Sequence, residues 1–109
     1  MATNTFTRYL TKNVGLTANT MVTAGSSTQT TIIGLSLSNT TAGTITANVF
    51  VTASAVDYYI VQNATIASGG ALALFGGDGK LVLNTGDAFK VQTNTASSSD
   101  AILSVLQIT

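Results

Sequence analysis

The sequence predicts an all-β, single-domain antiparallel β-sandwich, jelly-roll or Ig-like, of about eight or nine short strands. Three observations predict it. Apolar and polar residues alternate with a period of two in segment after segment, as half-buried strands require. Turn signals rich in Gly, Asn, Asp and Ser recur every ~8–12 residues. The polar positions are filled by Thr, Ser and Asn, and only 7% of residues are charged, against roughly 25% in an ordinary soluble domain. Threonine suits a pleated surface, and the Glu- and Arg-rich faces of long helices are missing. A chain of 109 residues is long enough to bury one core. The expected organisation is one domain over residues 1–109, with residues 1–15 either its first strand or an N-terminal arm.

In chain order, residues 3–12 carry Phe6, Arg8, Tyr9 and Leu10 among threonines. As an edge strand, this segment would turn Phe6 and Leu10 to the core; as an arm, it would reach a neighbouring subunit. Asn13-Val14-Gly15 is a break. Residues 17–23 read as a short strand with Met21 or Val22 inward, followed by a turn at Ala24-Gly25-Ser26-Ser27. Residues 29–52 give the clearest pattern. Ile33, Leu35 and Leu37 alternate with small residues in one arm, and Ile45, Ala47, Val49 and Val51 with Thr46, Asn48, Phe50 and Thr52 in the next. The link Asn39-Thr40-Thr41-Ala42-Gly43 has hairpin length and a glycine available for positive φ, so this stretch reads as a hairpin.

Ala53-Ser54-Ala55-Val56 then connects to a strand over residues 57–66, with Tyr58 and Ile60 on one face and Tyr59 and Val61 on the other. A turn at Ala67-Ser68-Gly69-Gly70 leads to a short apolar strand at 71–75. Gly76-Gly77-Asp78-Gly79 is the strongest turn signal in the chain. Residues 80–83 and 88–93 are further strands, the second with Phe89 and Val91 on one face. Residues 100–108 close the chain with Ile102, Leu106 and Ile108 opposite Leu103 and Val105. Apolar residues on both faces place this strand centrally in a sheet or beneath a partner. The expected core is Ile33, Leu35, Leu37, Ile45, Val49, Val51, Val91 and Leu106.

Composition narrows function by exclusion. With no His and no Cys, Ser-His-Asp and Cys-His nucleophile systems are ruled out, as is a zinc site of ordinary ligands. The acids are all aspartates: Asp57, Asp78, Asp87 and Asp100. Asp78 and Asp87 follow glycines and read as turn residues, Asp87 with its side chain on nearby backbone amides. The 76–79 run has the spacing of neither phosphate-binding glycine fingerprint. The expectation is therefore a protein that is not an enzyme, with no catalytic, cofactor or metal residues.

Four scattered bases, Arg8, Lys12, Lys80 and Lys90, cannot form the stripe a nucleic acid needs. No apolar run has the length of a spanning helix, few aromatics are present to girdle a membrane barrel, and no signal peptide is read at the start. A net charge of zero gives little self-repulsion, which favours association. The absence of proline removes one guard against edge-to-edge pairing. Tyr58 and Tyr59 are candidates for an exposed ring that stacks on a sugar or anchors an interface.

Three stretches carry a family resemblance: FTRYLTKNVG at 6–15, IIGLSLSNTTAGTITANVFV at 32–51, and KLVLNTGDAFKVQTN at 80–94 together with the final AILSVLQIT. On these the chain resembles small virion structural proteins of tailed phages, especially those of cyanobacterial and other marine phages. The resemblance implies a non-enzymatic virion component made in the host cytoplasm. Its first expected role is capsid decoration (cement), binding major capsid protein and stabilising the shell. A symmetric homo-oligomer such as a trimer would suit a shell's local axes. Alternatives are a neck, tail or baseplate subunit, or a carbohydrate-binding module in host attachment. No site residues follow from the resemblance. The interface candidates come from the residues themselves: Phe6, Arg8, Tyr9, Leu10, Tyr58 and Tyr59.

Overall fold

The computed structural model describes residues 4–75 and 80–108. Among these residues are nine strands: β1 (Asn4–Val14), β2 (Asn19–Thr23), β3 (Gln29–Asn39), β4 (Ile45–Ala53), β5 (Val56–Ile66), β6 (Ala71–Leu74), β7 (Leu81–Leu83), β8 (Ala88–Thr93) and β9 (Ser99–Ile108). A five-stranded sheet runs β1-β9-β3-β6, with β7 also on β3, and a four-stranded sheet runs β2-β8-β4-β5. All pairings are antiparallel. The pairing is nested: first strand with last, second with eighth, third with sixth and seventh, fourth with fifth. That is the jelly-roll form of the predicted sandwich, and it sets the Ig-like alternative aside.

The core lies between the sheets. Phe89, Ile32, Leu37, Ile45, Leu83, Leu103, Val14, Val49, Val91 and Val105 are its largest fully buried apolar side chains. Of the expected core, Leu35, Leu37, Ile45, Val49 and Val91 are buried there. Val51 is half-buried and packs against its margin. The other two expectations fail for separate reasons. In β3, Ile32 pairs Val105 and Gly34 pairs Ser104, leaving Ile33 as an extra residue without a partner. This bulge shifts the phase by one, so Ile32 is buried and Ile33 only half-buried. Leu106 lies on the outer side of β9, opposite Phe6 and Thr31, and is half-buried.

Residues 29–52 are not a hairpin. β3 and β4 belong to different sheets. Each has one apolar face, and setting the strands across the core from one another buries both faces at once. The link between them is an arch held by Asn39, only 4% exposed. Its Nδ2 donates to the Gly43 carbonyl at 2.7 Å and to the Ile66 carbonyl at 3.0 Å. Its Oδ1 accepts from Thr41 N at 2.9 Å and Thr41 Oγ1 at 2.7 Å. Gly43 does not use a positive φ; Gly69 and Gly86 do.

The true tight hairpin is β4–β5. Ala53 pairs Val56 across Ser54 (φ 51°) and Ala55 (φ 66°), both left-handed as a type I′ turn requires. Asp87 is a turn residue as expected, its Oδ2 accepting from Asn84 N at 3.0 Å. The Gly76-Gly77-Asp78-Gly79 turn lies outside the described residues.

Candidate functional site

The outer face of the five-stranded sheet is where the structure collects exposed apolar side chains. β1 pairs β9 without a break from Asn4 to Thr11. Of its odd residues, Thr7, Tyr9 and Thr11 are half-buried on the inner side and Thr5, near the strand's start, is exposed. Its even residues face out, and Phe6 is 74% and Leu10 59% exposed. The expectation that an edge strand would turn Phe6 and Leu10 to the core is therefore reversed. Tyr9 is the inward ring, its hydroxyl accepting from Gln107 Nε2 at 2.9 Å.

Register extends the face. Phe6 lies beside Leu106, then Thr31, then Val82, forming one cross-strand row. Leu10 lies beside Ile102, then Ser36, then Ala73, forming another. Between them runs Arg8, Ser104 and Gly34, a low row of small residues past the arginine. Val82 and Ile102 are exposed, like Phe6 and Leu10. A shallow groove of about 250 Å³ opens along Leu10, Thr11, Lys12, Asp100, Ala101 and Ile102.

At the end of the face, Lys12 Nζ is 3.3 Å from Asp100 Oδ2. The Asp100 carboxylate also accepts from Asn13 N at 3.2 Å. That backbone bond is the main cause holding its pKa below the ordinary value, with the neighbouring Lys12 adding to it. The Asn13 bond lies within the bulge that ends the regular part of β1.

Phe6, Arg8 and Leu10 are thus brought together, and Tyr9 is on the opposite side of the same strand. Tyr58 and Tyr59 lie elsewhere, on β5 at the edge of the other sheet, and both are exposed. Tyr59 faces out and stacks on Phe50, ring centroids 4.9 Å apart. Phe50 pairs Lys90 and Tyr59 on the outer side, yet is only 3% exposed. It is buried outside the main core, beneath the tyrosine. Asn48 lies one row away, with Nδ2 3.4 Å from Gln92 Oε1 and Oδ1 accepting from Asn63 N at 2.8 Å.

Sequence reasoning did not place Ile102, Leu106 and Val82 on the same face as Phe6. The available signal was β9, apolar on both sides and hence in need of cover.

No protein-family model matches this chain. No curated protein matches it in sequence. Among solved structures, its fold is similar to a chain from Bacillus endospore appendages, described as a novel family of disulfide-linked pili. The TM-score is 0.54 at 12% identity, over 99% of this chain and 88% of that one. At this identity the likeness concerns the fold. It is to an appendage protein, not to a phage protein, and this chain has no cysteine with which to form a disulfide.

Proposed function

We propose that this chain is a non-enzymatic structural subunit of a phage particle, and that it works as a capsid decoration protein docked on the major capsid shell. One observation carries the reading. The outer face of the β1-β9-β3-β6 sheet presents two apolar rows, headed by Phe6 and Leu10, and a soluble monomer gains nothing by exposing them. Binding only the assembled shell would stabilise it by mass action. The jelly roll is a common capsid architecture, but it also serves lectins, so the fold alone does not choose.

Purified virions provide the test. Gold-labelled antibody against the chain should decorate the whole shell, and Ile102→Glu with Val82→Asp should prevent attachment. Labelling at one vertex would replace this reading with a neck, tail or baseplate subunit. Because few charges line the face, raising salt to moderate strength should barely release the protein. Sharp release by salt would show an electrostatic contact instead.

A second reading is favoured by the fold likeness to a pilus chain: a subunit of a multi-copy filament. Label along filaments, and none on particles, would decide for it. Glycan affinity residing at Tyr59 would move the protein to host attachment.

A further inference from the structure

We infer that two copies of this chain pair through β1, edge to edge and antiparallel about Thr7, joining their large sheets into one. The inference concerns self-association and does not rest on docking to a particle.

Exposed edges invite strand addition, and proteins blunt them with short strands, bulges or proline. Three edges here are blunted. β6 and β7 are four and three residues long. β2 has five residues and a register shift between Thr20 and Val22. β5 is long, but its ladder shifts between Ala47 and Val49 and again between Val49 and Phe50, and Asn63 is left-handed at φ 58°. β1 carries its bulge only at its end, between Thr11 and Val14, where Asn13 is left-handed at φ 58°. It is regular from Asn4 to Thr11, and Arg8 is the one charge in that run. Among the described residues, it is the long regular edge left without a partner strand.

Register then selects the pairing. A two-fold axis normal to the sheet keeps both outer faces on the same side. Directly opposed residues in an antiparallel pair share a face. Even-numbered residues of β1 must therefore oppose even-numbered ones. Among such registers, those centred on Thr7 or Arg8 overlap the regular segments most. Centring on Arg8 sets Arg8 against Arg8 of the second copy, a like-charge pair that destabilises. Centring on Thr7 sets each Arg8 against Phe6 of the other copy, a guanidinium beside an aromatic ring. It also places Leu10 opposite Asn4 and Tyr9 opposite Thr5. The two outer faces become one continuous surface across the axis.

The test uses the full chain in solution. Sedimentation velocity should show a reversible monomer–dimer equilibrium. Phe6→Lys sets a lysine against each Arg8 and should weaken dimerisation about tenfold, from two like-charge pairs and two lost ring contacts. Combining Phe6→Lys with Arg8→Glu should restore it, which no other register predicts. The chain has no cysteine, so a single probe is unambiguous. Thr7→Cys should cross-link under mild oxidation, because opposed Cα atoms about 4.5–5.5 Å apart fall within disulfide range. Arg8→Cys should cross-link far less. A chain that stays monomeric at every concentration would overturn the inference. So would an oligomer indifferent to Phe6→Lys, a double variant that fails to recover, or cross-linking that favours Arg8→Cys. Particle attachment is read separately through Ile102 and Val82, so either result stands without the other.

Discussion

Asn39 offers the sharpest test of the fold, because it holds the arch that replaces the expected hairpin. Asn39→Ala deletes four hydrogen bonds: to the Gly43 and Ile66 carbonyls, and from Thr41 N and Thr41 Oγ1. Net contributions of about 0.5–1.5 kcal/mol each would sum to ~2–6 kcal/mol. With Asn39 gone, the one Thr41 Oγ1 proton is free to go to the Gly43 carbonyl, 2.9 Å away. That bond lowers the expectation to ~2–4 kcal/mol, dominated by the buried contact to Ile66.

Asn39→Asp sharpens the test at nearly constant volume. It keeps the acceptor for Thr41 but turns a carboxylate oxygen toward both carbonyls. At neutral pH it should cost more than alanine. Burial and the facing carbonyls would raise the folded-state pKa of the introduced group above its unfolded value. The excess penalty is therefore absent below the unfolded pKa and grows as pH rises to the folded one. Urea unfolding of both variants, with Thr40→Ala at an exposed neighbour as control, provides the measurement. A loss under about 0.5 kcal/mol for Asn39→Ala, at unchanged m-value, would show that Asn39 does not hold the arch.

Three further outcomes follow from particular residues. Ile32→Ala should cost ~2–5 kcal/mol and Ile33→Ala less than half as much, since the bulge buries only the first; equal costs in urea melts would mean no phase shift exists at this point. Ser54→Asn with Ala55→Gly should raise stability by ~1 kcal/mol, because asparagine and glycine accept the left-handed turn that serine and alanine resist; a loss would argue against a type I′ turn. Thr30 is fully buried and its Oγ1 has no hydrogen-bond partner among the described residues. Thr30→Val should therefore be neutral or stabilising by up to ~1 kcal/mol in thermal or urea melts, and a clear loss would reveal a partner for the hydroxyl.

Strand positions were legible because alternation and turn residues are local signals. Phe89 and Val91, for example, share a face in sequence and in structure. Pairing was not legible, because period two tells which side of a strand is buried and not which strand lies beside it. β3 and β4 have the pattern of a hairpin and form an arch. The bulge at Ile33 was invisible for a related reason: one extra residue changes which isoleucine is inward without changing composition. Phe6 and Leu10 illustrate the limit for the candidate surface. An apolar stripe facing a partner has the same period as one facing the core, and only the inward Tyr9 and the register with β9 separate them. Alternation put Tyr58 and Tyr59 on opposite faces of one strand, and in the structure both rings are exposed. That Tyr59 covers a buried Phe50 depends on a neighbouring strand.

The nested pairing also governs the order in which the molecule can be made. Asn4 pairs Ile108, so the ladder between β1 and β9 closes a loop of roughly a hundred residues, an entropic cost met only late in folding. During synthesis β4 and β5 can zip together soon after they appear. β1, made before either, must wait for β9 with its backbone unpaired. On a polysome, where nascent copies are crowded together, that waiting strand can meet its counterpart on a neighbouring chain before its own β9 exists. Expression conditions that slow elongation should then increase aggregation, and a chaperone that shields the first segment should relieve it.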